Sequence, residues 1–206
     1  MGRKISDAKV EELKRYTEEK VPDLQILYKD EPLPTLWVKF LFLLVRMVGW
    51  FSPAFEKKWM SQVSNAMGTK YMIFPSRERY SDLSDYNTYA IYMHELVHLQ
   101  DMRKYGLWFV LTYAFLPLPI LAAGRAHWEF KGYTQNLIVR FEETGTISDK
   151  TLEWVAEQYG GTLYFWMWPF KAYVRKKLER LRQDIYDGKV TGFHPEVKWW
   201  KRDSSL

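Results

Sequence analysis

The 206-residue chain carries 30 lysines and arginines against 25 aspartates and glutamates, for a formal net charge of +5, and its residues are 47% hydrophobic and 17% aromatic. That apolar share excludes a disordered chain, and the length suits a single domain with a substantial buried core. With no cysteine, disulfide frameworks and thiolate ligands are excluded, so any bound metal must be held by His, Asp, Glu or water.

The start, Met1 to Asp7, is polar and leads into a helical pattern through Val10, Leu13, Lys14 and Thr17. It has no apolar core of the kind a secretory signal needs, so the expected location is cytoplasmic. Pro22, Pro32 and Pro34 punctuate the stretch that follows, and Leu24 to Tyr28 reads as an edge strand. Residues 1–35 are thus taken as an N-terminal helix and loop.

Apolar helices fill 36–67. Residues 36–51 are too short for an ordinary membrane span and contain Lys39 and Arg46, seven apart and therefore on one side of a helix. Core packing is one reading. The other is a helix lying in a membrane surface, with Trp37, Trp50 and Phe51 at its ends. Phe55 to Met67 reads as a further helix closed by Gly68, and Lys70 to Pro75 as an edge strand stopped by proline.

The metal-site core is placed in 70–143. Tyr92 to Asp101 contains His94-Glu95-Leu96-Val97-His98, flanked by Tyr86, Tyr89, Ala90 and Met93 at helical spacing. A helix start is expected at Ser81-Asp82 or Ser84-Asp85 and a stop at Gly106. Side chains at i and i+4 stack on one face, so His94 and His98 can reach one metal ion. Glu95 lies about 100° round the helix, where it suits a general base acting on a water rather than a ligand. Asp101 follows on the same stripe. It is read either as an acceptor for a His98 ring N–H, or as a solvated residue or ion-pair partner of Lys104 or Arg125.

Residues 107–123 carry no charge and are broken by Pro117 and Pro119. They suit a buried hairpin or a second segment dipping into a membrane surface or a partner. Gly124 to Tyr133 opens a helix running to about Glu143. There Arg125, Glu129 and Tyr133 share one face at steps of four. Catalytic zinc takes three protein ligands and an open position, so a third ligand is required. Glu129 is preferred, with His127 the alternative on a different helix face. Arg125 is placed to orient the carboxylate, and Tyr133 to donate to a substrate oxyanion.

This pattern resembles the gluzincin group of zinc metallopeptidases. The run Arg125-Ala-His-Trp-Glu129-Phe-Lys-Gly-Tyr133 is similar to the Arg-x-x-x-Glu-x-x-Ala-Tyr type of small bacterial and phage members, and the resemblance spans about Lys70 to Asn136. It implies His94, His98 and Glu129 as zinc ligands and Glu95 as the base. Better-known gluzincins often place an acidic residue four positions after the third ligand, where this chain has Tyr133.

Residues 148–206 read as scaffold. A helix capped by Ser148 or Asp149 runs to Tyr159 and ends at Gly160-Gly161, and an apolar stretch spans Thr162 to Trp168. Pro169 is expected to open a mixed-charge helix to about Asp187, better suited to solvent than to nucleic acid. His194 is given no role.

The whole predicts an α+β, mainly helical, zincin-like domain over 1–206, with a small sheet beside a central metal helix. The expected activity is zinc-dependent hydrolysis of a peptide or amide, with one Zn2+ per chain. Two alternatives stay open: a non-catalytic zinc-binding protein, and a membrane-surface interaction protein acting through 36–51 and 107–123.

Overall fold

A computed structural model describes residues 5–32, 36, 39, 42, 43, 46, 47, 50, 53–62, 64–67, 69–114, 123–161, 167, 168 and 170–193. The His194, Trp199 and Trp200 tail, residues 115–122 and most of Thr162 to Trp168 lie outside them. Among the described residues the architecture is mainly helical with one small sheet. No helix among them is long and apolar enough to cross a membrane.

The chain divides into two compact units. In the first, Ile5–Arg103, helix α1 (Asp7–Lys20) buries Val10, Leu13 and Thr17, the pattern expected from the sequence. Strand β1 (Gln25–Tyr28), helix α2 (Pro53–Gln62), strands β2 (Asn65–Met67) and β3 (Tyr71–Phe74), and the short helix α3 (Arg77–Ser81) follow. The sheet order is β1-β3-β2. β1 pairs with β3 in parallel, Gln25 opposite Tyr71, and β2 pairs with β3 antiparallel, Ala66 opposite Met72.

Two expectations are corrected here. The run before Pro75 is the central strand, not an edge: β3 pairs with β1 on one side and β2 on the other, and all four of its residues are buried. The helix expected over Phe55 to Met67 stops at Gln62, and Asn65–Met67 is a strand instead. Pairing with β3 overrides the weak local preference of those three residues.

Helix α4 (Asp85–Tyr105) begins where Ser84 stands as a cap, its hydroxyl accepting from the Asn87 amide at 3.3 Å. It ends at Gly106, whose φ of +52° is the left-handed conformation that glycine adopts without steric cost. Tyr92, Leu96, Val97 and Leu99 are buried on α4, and the Tyr92 ring lies 6.2 Å from Phe74 of β3. Arg103 donates to the carbonyls of Thr69 and Lys20 and pairs with Asp23, tying α4 to the end of α1.

The second unit covers the described residues from Lys104 onward. It contains α5 (Leu107–Ala114), α6 (Ala123–Thr144), α7 (Asp149–Gly160) and α8 (Lys171–Tyr186). Ser148 caps α7 by accepting from the Thr151 amide at 3.2 Å. Helix α8 starts at Lys171, two residues beyond Pro169, so the proline is not its first position. Leu137, Leu152, Tyr159, Val174 and Leu178 form the core between α6, α7 and α8. On the outside, Arg175 and Arg182 of α8 share Asp149 of α7 at 2.7 and 2.8 Å.

Candidate metal centre

His94 and His98 stand one turn apart on α4, with ring centroids 4.9 Å apart and planes at 70°. Both are buried, at 8% and 4% exposure. A buried imidazole gives up hydration and must be compensated by a bond to another group.

Glu95 is also buried, and points toward the sheet. Its carboxylate accepts a hydrogen bond from the backbone amide of Ala66 on β2. Beyond the end of β1, Lys29 is buried, its Nζ donating to the Trp59 carbonyl at 2.6 Å and lying 3.4 Å from the centre of the Trp59 ring. Burial pushes the Lys29 ammonium down to about 7, and the negative charge of Glu95 partly opposes that fall. Two groups from the sheet side therefore act on Glu95: one amide dipole and one lysine field. Neither was legible in the sequence, because nothing local links residues 29 or 66 to 95.

Asp101 is fully buried, which removes the solvated reading of that residue.

In the second unit, Glu129 is 2% exposed on α6. It accepts a hydrogen bond from the Tyr113 hydroxyl of α5. Arg125, one turn before Glu129, donates from Nε to the Tyr113 carbonyl at 2.7 Å, and its guanidinium carbon lies 5.4 Å from the centre of the Tyr113 ring. Arg125 thus fixes Tyr113, and Tyr113 fixes the carboxylate. The sequence hid Tyr113 inside the uncharged run 107–123.

The α5–α6 hairpin that supports this contact is tight. Trp128 donates to the Thr112 hydroxyl at 2.9 Å, and Phe109 stacks on Tyr113 at 5.3 Å. A Cβ on Gly124 would meet the Thr112 carbonyl oxygen at 2.7 Å, so glycine is what lets the two backbones approach.

Tyr133 is buried in the α6–α7–α8 core, its ring 5.8 Å from Tyr159 and 6.1 Å from Trp154. The Tyr159 hydroxyl is held well above the ordinary tyrosine range, first by burial and then by the charge of Glu129. That places Tyr159, unforeseen in the sequence, within the field of the same carboxylate. His127 is buried with its ring 4.8 Å from that of Trp128.

The described residues that could hold a metal ion are His94 and His98 of the first unit and Glu129 of the second, all three buried. His127 and Asp101 are not in that group. The donor chemistry, two imidazoles and a carboxylate without thiolate, suits zinc. No protein-family model, no curated protein and no solved structure matches the chain.

Proposed function

We propose that the chain is a zinc-dependent hydrolase of peptides or other amides, with His94, His98 and Glu129 holding one ion and Glu95 as the general base. The observation that carries this reading is a set of three buried residues able to hold a metal ion, His94, His98 and Glu129, with the buried Glu95 next in sequence to the first of them. When bound, zinc supplies a Lewis acid that lowers the pKa of a water and polarises a carbonyl.

Glu95 takes the proton of the attacking water and passes it to the leaving nitrogen. The Ala66 amide holds one carboxylate oxygen of Glu95, leaving the other to face the water. Tyr113 and Arg125 keep Glu129 from turning away. Tyr133 is assigned to the substrate oxyanion and Asp101 to the outer N–H of His98, both as parts of the proposal.

The test is metal content by elemental analysis, followed by amide hydrolysis. Wild-type protein is expected to carry about one zinc per chain, with sharp loss in His94→Ala and Glu129→Ala. Glu95→Gln is expected to keep the metal and lose about 100-fold or more of the rate. Absence of metal in wild type after zinc is resupplied sinks the proposal. Metal retained with function unchanged in Glu95→Gln makes the zinc purely structural.

A further inference from the structure

The described residues of 36–50 are all helical, and they are sorted by chemistry. Apart from Phe42, the apolar residues among them are Leu36, Leu43, Met47 and Trp50. All four face solvent, with Leu36 and Trp50 at 86% and 87% exposure. Phe42 points the other way, 8% exposed and edge-on to Trp59 at 5.1 Å. Lys39 and Arg46 are exposed too, and their spacing of seven makes them one basic flank to this apolar stripe.

Beside that flank lies a crevice of about 370 Å³. Lys39 and Arg46 bring two cations to it, while Phe42, Leu43 and Met60 supply apolar wall. Its one acid, Glu31, is already engaged by Arg77 through two hydrogen bonds of 2.8 and 3.2 Å. Glu56 is 3.9 Å from Arg46 in a loose ion pair.

We propose that this face docks on an anionic phospholipid surface, the stripe entering the acyl boundary and a headgroup phosphate seating between Lys39 and Arg46. An exposed apolar stripe with a basic flank is the pattern of a helix lying in a membrane interface. The long stems of Lys39 and Arg46 let their charges reach up to phosphates while the stripe sinks. Trp50 ends the stripe where an indole favours the headgroup level. A second copy of the chain is a poor occupant, because a two-fold contact through this face would set the same cations against each other. The proposal goes beyond the hydrolase reading and does not depend on it.

The experiment is co-sedimentation of the full chain with phosphatidylcholine vesicles, with and without about one-third phosphatidylglycerol. Binding to the anionic vesicles should be at least about tenfold stronger and should weaken as salt is raised. Leu43→Ser and Trp50→Ser should each weaken it about tenfold, and Lys39→Gln and Arg46→Gln about fivefold. Trp154→Ser, an exposed tryptophan of the second unit, and His94→Ala should change nothing, which separates this proposal from the metal site. Circular dichroism verifies that each variant is folded.

Absence of vesicle binding overturns the proposal, as does equal binding to neutral and anionic vesicles. Binding of inorganic phosphate alone, without vesicles, also overturns it. So does a wild-type dimer in size-exclusion chromatography that Leu43→Ser or Trp50→Ser makes monomeric.

Discussion

The backbone amide of Ala66 donates to the carboxylate of Glu95, so a strand at the sheet edge holds the residue proposed as base. Ala66→Pro removes that N–H at an edge position where proline is tolerated. The fold should survive by circular dichroism. Amide hydrolysis should fall about tenfold or more in kcat with KM little changed, because a hydrogen bond to a charged group is worth about 1.5–3 kcal/mol. An unchanged kcat would remove Ala66 from the mechanism.

Tyr113→Phe deletes the hydroxyl that reaches Glu129 and leaves the ring that stacks on Phe109. Zinc affinity should drop about 10- to 100-fold, the usual effect of losing a group that orients a ligand. Competition against a chelator of known affinity reads this directly. Equal affinity in wild type and variant would make the Tyr113 contact incidental.

Gly124→Ala drives a methyl into the Thr112 backbone and side chain. Overpacking of that kind costs about 1–3 kcal/mol, visible as a lowered urea midpoint. Since Tyr113 adjoins Thr112, zinc affinity should fall in the same variant. A midpoint equal to wild type would show that the hairpin yields freely.

Lys29 gives a pH signature. Its ammonium in the folded protein releases its proton at about 7, against 10.5 for an ordinary lysine, because burial disfavours the charge. Between those values the unfolded chain holds the extra proton, so stability rises with pH across that window and is flat outside it. The slope from this one group is at most about 1.4 kcal/mol per pH unit. Urea unfolding of wild type and Lys29→Met at several pH values from about 6 to 10 isolates it. Parallel curves would mean that Lys29 stays protonated throughout.

What the sequence made legible was the part carried by local spacing. His94, Glu95 and His98 could be placed on one helix because a period of 3.6 fixes relative direction, and Ser84 and Gly106 marked that helix's ends by their own backbone chemistry. Glu129 followed from steps of four with Arg125. Yet the expected direct partnership of those two also involves Tyr113, which neither spacing nor charge pointed to. Pro75 suggested an edge strand, but proline after the last paired residue leaves β3 free to pair on both sides. Asn65–Met67 carries almost no strand preference of its own, and only its partner makes it one. The 36–50 segment was legible as amphipathic, but which face meets the protein was decided by Phe42 packing on Trp59.

The strand order also sets a sequence of events in folding. β2 and β3 are neighbours along the chain and pair as a local hairpin, whereas β1 must close 46 residues (71 − 25) to lie parallel to β3. Short loops close before long ones, so the Ala66 amide comes into position with the hairpin, and Lys29, just past β1, arrives with the slower parallel pairing. Loop length thus predicts that the two groups acting on Glu95 from the sheet assemble at different times, the amide donor before the lysine is desolvated, an order that pulsed hydrogen exchange during refolding would read.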